Sequence, residues 1–104
     1  MRNFEYRPPR LACNIAIDFI VDGHIHRGRC LNMSATGLSA AFHEEVQPGS
    51  CGTLILRHGA HSITLAATAI HLDTGDLGLS FCFQNDEESA RLSEFLTGAT
   101  SPAL

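Results

Sequence analysis

Leu11-Ala12-Cys13-Asn14-Ile15-Ala16-Ile17-Asp18-Phe19-Ile20-Val21 is the stretch whose reading decides the fold. Leu11, Cys13, Ile15, Ile17, Phe19 and Val21 fall on one face, while Asn14, Asp18 and small residues dominate the other. An apolar residue at every second position is the signature of a half-buried strand, because successive side chains of extended backbone point to opposite faces. Asp22-Gly23 follows as a hairpin turn signal, and residues 25–32 are then the expected antiparallel partner. Small polar residues and a glycine, Asn32-Met33-Ser34-Ala35-Thr36-Gly37, break the pattern as a turn or bulge.

Alternation resumes at Leu38, Ala40 and Phe42, and Pro48-Gly49-Ser50 turns the chain again. Residues 52–57 and 62–72 are predicted strands around His58-Gly59-Ala60. After a turn at Thr74-Gly75-Asp76, Leu77, Leu79, Phe81 and Phe83 define a last strand. The periodicity then changes to a helical one. Asn85 with Glu88 three residues later starts a helix in the manner of a capping box, Leu92, Phe95 and Leu96 line one face, and Gly98 is placed to end it. Six short strands and one closing helix predict an all-β fold, a small antiparallel barrel with a C-terminal helix over one open end. Closure would also remove the exposed strand edges that a short sheet must otherwise protect. Residues 1–98 are expected to form a single domain and 99–104 a loose tail.

Composition narrows the function classes. The chain has 104 residues, 44% of them hydrophobic, with 7 basic and 11 acidic side chains and a net charge of −4. That length accommodates one core, and the composition is that of a folded chain. The acidic balance argues against general binding to nucleic-acid polymers or anionic membranes. No apolar run approaches a membrane span, and the opening Met1-Arg2-Asn3-Phe4-Glu5 has no apolar segment of a secretory signal, so a cytoplasmic protein is expected. All basic residues are arginines, the side chain suited to forked recognition of phosphates and base edges. Cys13, Cys30, Cys51 and Cys82 form no CxxC pair and are read as reduced and mostly buried.

Two segments carry the binding chemistry. Tyr6-Arg7-Pro8-Pro9-Arg10 is a basic, proline-stiffened stretch ahead of the first strand. Asn32-x-Ser34-x-x-Gly37 sits at a strand-to-turn junction. Asn32 and Ser34, two apart on extended backbone, would point to one side, and Gly37 would allow a turn or a close approach to a ligand. Guanidinium groups, an amide and a hydroxyl suit a phosphorylated ligand with purine edges, although a solvated charge pair and a plain turn would read the same way. His24 and His26 share a strand face, and His58 and His61 lie near one loop. Neither pair has a third ligand at metal spacing, so no metal site is expected. With no nucleophile elbow or phosphate loop, and with Asp73 and Asp76 placed as turn residues, the chain is not expected to be an enzyme.

The order of these features resembles the PilZ domain, the bacterial cyclic-di-GMP receptor module. The family pattern is Arg-x-x-x-Arg, a strand, (Asp/Asn)-x-Ser-x-x-Gly, a Pro-Gly turn, two strands, a Leu-Gly-Leu-x-Phe strand and a helix. Here the matching residues are Arg10, Asn32-Met33-Ser34-Ala35-Thr36-Gly37, Pro48-Gly49 and Leu77-Gly78-Leu79-Ser80-Phe81. The resemblance spans about Tyr6 to Leu96 and implies a split barrel that binds cyclic-di-GMP through Arg10, Asn32, Ser34 and Gly37. The position of the first family arginine is Tyr6, with Arg7 one residue late as its substitute. The resemblance further implies a sensor that needs no cofactor and relays the second messenger to an unidentified protein partner, in motility, pilus or polysaccharide control. The departure at Tyr6 keeps a second reading open, an adaptor of the same fold that acts through protein contacts alone.

Overall fold

A computed structural model describes residues 11–72 and 77–99. The predicted Thr74–Asp76 turn with Asp73, the Tyr6–Arg10 segment and residues 100–104 lie outside the described residues. The elements are β1 (Leu11–Val21), β2 (His24–Met33), β3 (Gly37–Phe42), β4 (Cys51–His58), β5 (His61–His71), β6 (Leu77–Cys82) and α1 (Asp86–Ala99). All strand contacts are antiparallel, and the ring β1-β2-β3-β6-β5-β4 closes when β1 pairs with β4. The expected all-β barrel with one C-terminal helix is therefore the observed fold.

Local chemistry explains the hairpins. Asp22 and Gly23 have φ of 51° and 82°, the double positive φ of a type I′ turn, whose twist matches that of the flanking strands. In the β4–β5 hairpin, His58 pairs with His61, so Gly59 (φ 62°) and Ala60 form the turn. At α1, the Glu88 N–H donates to Asn85 Oδ1 at 2.9 Å and the Gln84 N–H donates to Glu88 Oε1 at 2.9 Å. The reciprocal cap is thus present, with the carboxylate reaching one residue further back than in the usual capping box. The helix continues to Ala99, so Gly98 lies within its last turn.

Inside the ring the period-two faces meet. Ile15, Ile17 and Phe19 of β1 pack with Leu54 and Leu56 of β4, Leu65 of β5 and Leu79 of β6. Antiparallel pairing gives the barrel two ends. One holds the β1–β2 turn and the 43–50 connection, which adds Val46 to the core; the other holds the β2–β3 loop, the β4–β5 turn and α1, which adds Leu92. The helix packs against β5, so it caps that second end.

Cysteine placement departs from expectation. Cys30 is buried and Cys13 half-buried, with their sulfurs 2.8 Å apart, but Cys51 and Cys82 are exposed. Both lie on the outer faces of β4 and β6, on either side of Thr68, and each sulfur is 3.6 Å from the Thr68 hydroxyl. Face parity, set by Leu54 and Phe81 inside, overrides the usual preference of cysteine for the interior. Burial pushes the Cys13 thiol up, against a smaller lowering by the Cys30 hydrogen bond, which disfavours the reactive thiolate.

Candidate functional site

The site is built on an irregularity in β2. Cys30 pairs with Ala40 and Asn32 with Ser39, so Leu31 is an extra residue on β2. A bulge of this kind shifts the face alternation by one. Upstream of it Cys30 points inward; beyond it Met33 takes the inward role, both 0% exposed. Were the alternation not broken by this bulge, Asn32 would share the face of Cys30 and enter the core. With it, Asn32 is half-buried on the outer face and Leu31 is exposed. A second irregularity, between Ala12 and Ile15 of β1, lies alongside.

The loop after β2 is tied down from within. The Ser34 N–H donates to the Gly37 carbonyl at 2.8 Å, the Ser34 hydroxyl donates to the same oxygen at 3.3 Å, and the Thr36 N–H donates to Ser34 Oγ at 3.3 Å. The Phe81 N–H then donates to the Thr36 carbonyl at 3.0 Å, fastening the loop to β6. The sequence reading places Asn32 and Ser34 on one side of extended backbone. The structure separates them, because β2 ends at Met33 and Ser34 is only 1% exposed. Its side chain organises the loop, and Asn32 is the group on the outer face.

Gly37 has a structural reason of its own. A Cβ there would stand 2.6 Å from the Leu79 carbonyl oxygen, a backbone atom that cannot swing away. Gly37 is what lets β3 begin this close to β6. Gly37→Ala should therefore lower stability by about 1–3 kcal/mol, the usual cost of overpacking. Urea denaturation without ligand checks this, and an unchanged midpoint would show that the strands part without penalty.

Leu11 pairs with Met33. The start of β1 thus lies beside the Asn32–Gly37 loop; Arg7 and Arg10, which precede it in sequence, lie outside the described residues. The outer face of β2 also carries Arg27 and Arg29, which sequence reasoning did not single out; their period-two spacing was the available signal. Arg29 is exposed and donates from Nη1 to Asn14 Oδ1 at 2.8 Å, across to β1. This face offers an amide, an anchored loop and guanidinium groups, a donor-rich surface suited to anions and base edges.

A family model for the PilZ domain matches residues 2–98. The chain belongs to the PilZ domain family. Solved PilZ structures agree in fold. The PilZ domain with c-di-GMP of YcgR from Escherichia coli is 17% identical, with a TM-score of 0.71 over 92% of each chain. The PilZ domain of CeSA from a cellulose synthesizing bacterium is 13% identical, with a TM-score of 0.70 over 86% of this chain and 96% of that one. The Inhibitor of motility (MotI/DgrA) of Bacillus subtilis is 16% identical, with a TM-score of 0.66 over 91% of this chain and 50% of that one. No curated protein sequence matches the chain. PilZ domains are in general non-enzymatic binding modules. Among the described residues, no helix is long and apolar enough to cross a membrane.

Proposed function

We propose that this PilZ chain is a cytoplasmic sensor that binds cyclic-di-GMP and relays its level to a protein partner in trans, without catalysis or a cofactor. The observation that supports it best is the anchored 34–37 loop with Asn32 beside it, next to the start of β1 at Leu11, which Arg7 and Arg10 precede in sequence. In this reading Arg7 and Arg10 hold the phosphates and the Hoogsteen edge of guanine, and Asn32 bonds a base edge. Ser34 and Gly37 keep the loop in shape. Arg29, on the same outer face, adds positive potential. Ligand binding changes the surface this face shows to a partner, to the extent that the two surface states differ in affinity for the ligand. The c-di-GMP in the YcgR domain, the motility role in the name of MotI and the cellulose context of the CeSA domain point to the same kind of control.

Calorimetric titration with cyclic-di-GMP tests this. Saturable binding is expected, and Arg10→Ala should weaken it by at least tenfold, since a hydrogen bond to a charged group is worth about 1.5–3 kcal/mol. Undiminished affinity in the Arg10→Ala variant would sink the site assignment.

Tyr6 at the first family arginine favours a second reading, an adaptor that acts through protein contacts alone. Absence of heat from a demonstrably folded sample would select it, as would partner capture that ignores the nucleotide.

A further inference from the structure

At the barrel end opposite the Asn32–Gly37 loop, three potential metal ligands converge. His24 and His26 lie two apart on β2 and so share a face. Gly28 pairs with Phe42 at the end of β3, and the register runs on beyond it, since the His43 N–H still donates to the Arg27 carbonyl at 3.0 Å. One more step along both strands sets Glu44 across from His26, on the face of the two imidazoles. Sequence spacing offered no third ligand because Glu44 comes from the next strand's continuation.

The geometry is close to that of a coordination shell. One ring nitrogen from each of His24 and His26 and a carboxylate oxygen of Glu44 all lie within 4.8 Å of one another. Glu44 Oε1 is 2.6 Å from His24 Nε2 and 3.3 Å from His26 Nδ1. Ligands held about 2.0–2.1 Å from a tetrahedral zinc ion stand roughly 3.3 Å apart. The His26–Glu44 spacing already matches that value, and a small swing of the exposed Glu44 carboxylate would widen the other.

A second observation singles out His26. Its Nδ1 is buried and lacks a well-formed hydrogen bond, with Glu44 Oε1 3.3 Å away. A buried ring nitrogen left this way calls for an explanation, and a bound ion or water is among the usual ones.

We propose that His24, His26 and Glu44 bind one divalent transition-metal ion, of which zinc is the best fit, with the fourth position left to water. Two imidazoles and one carboxylate are the ligand set of open zinc sites, and imidazole suits copper and nickel as well. The ion would fasten the 43–50 connection to the β1–β2 hairpin. The site is about 20 Å along β2 from Asn32, at about 3.3 Å per residue, so it does not rest on the nucleotide reading.

The test is titration of the full chain with Zn²⁺ by calorimetry, and with Co²⁺ by absorption. One ion per chain is expected, with visible bands of tetrahedral cobalt. Glu44→Gln and His26→Ala should each weaken binding by at least about tenfold, because even the loss of an outer partner of a metal ligand costs that much. Glu44 is 54% exposed, so Glu44→Gln should keep the fold even if His26→Ala does not. The proposal is overturned by no saturable binding, by binding that survives Glu44→Gln, or by a thiolate-to-cobalt charge-transfer band, which would assign the ion to Cys51 or Cys82. A His58→Ala/His61→Ala variant should bind as the parent does; loss there would move the ion to the β4–β5 hairpin and refute the assignment.

Discussion

Phe19→Ala should lower the stability of the folded chain by about 3–5 kcal/mol, the largest single effect expected in this protein. Phe19 is 0% exposed, near the hairpin end of the strand that closes the barrel, paired with His26 on one side and Leu54 on the other. Its ring also meets that of Phe42 at 6.3 Å. Removing it opens a void that a closed ring of strands cannot collapse around, since every strand is held by two neighbours. Small domains have on the order of 5–15 kcal/mol in total, so the variant should be marginal. Urea denaturation should show a midpoint lower by about 2 M, for a slope near 2 kcal/mol/M. A loss under about 1.5 kcal/mol would mean that the interior repacks around the missing ring.

Leu92→Ala should cost about 2–5 kcal/mol and act mainly on α1. Leu92 is 1% exposed, whereas Phe95 and Leu96 are only partly buried, so one side chain makes most of the helix's anchorage. A 14-residue helix has little stability on its own in water, even with a good cap. When the anchor goes, the helical signal in circular dichroism should melt ahead of the strand signal, instead of with it. Ser93→Ala, next along the helix and exposed, should stay within about 0.5 kcal/mol of the parent. A single coincident transition with unchanged midpoint in Leu92→Ala would show that the helix is held by something other than this residue.

The strands and the helix were legible because each repeats one simple signal. Ile15, Ile17 and Phe19 alternate with polar and small residues, and the predicted strand over 62–72 is observed as His61–His71. The bulge at Leu31 was not legible, because an inserted residue in a strand leaves no compositional trace; only the pairing of Cys30 and Asn32 reveals it. The end of β2 at Met33 was no more legible, so Ser34 was read as facing the ligand with Asn32, while the structure turns it inward. Glu44 was illegible as a companion of His24 and His26 for a related reason. Contacts made across strands depend on register, which no local window of sequence contains. Cys51 and Cys82 show the converse, a residue preference applied where face parity decides.

The order in which the ring of strands comes together follows from its pairing. The β1–β2 and β4–β5 ladders start at two-residue turns, so short loops can initiate them. The ladder between β1 and β4 joins Ile17 to Leu56, and that between β3 and β6 joins Gly37 to Ser80. These long closures carry the greater entropic cost and place such a topology among slow-folding chains, in the range of about milliseconds to seconds. The Asn32–Gly37 loop stands at the start of one of these late seams. Any ligand or partner that grips that loop from outside also slows the reopening of the seam, and so acts on the lifetime of the folded state.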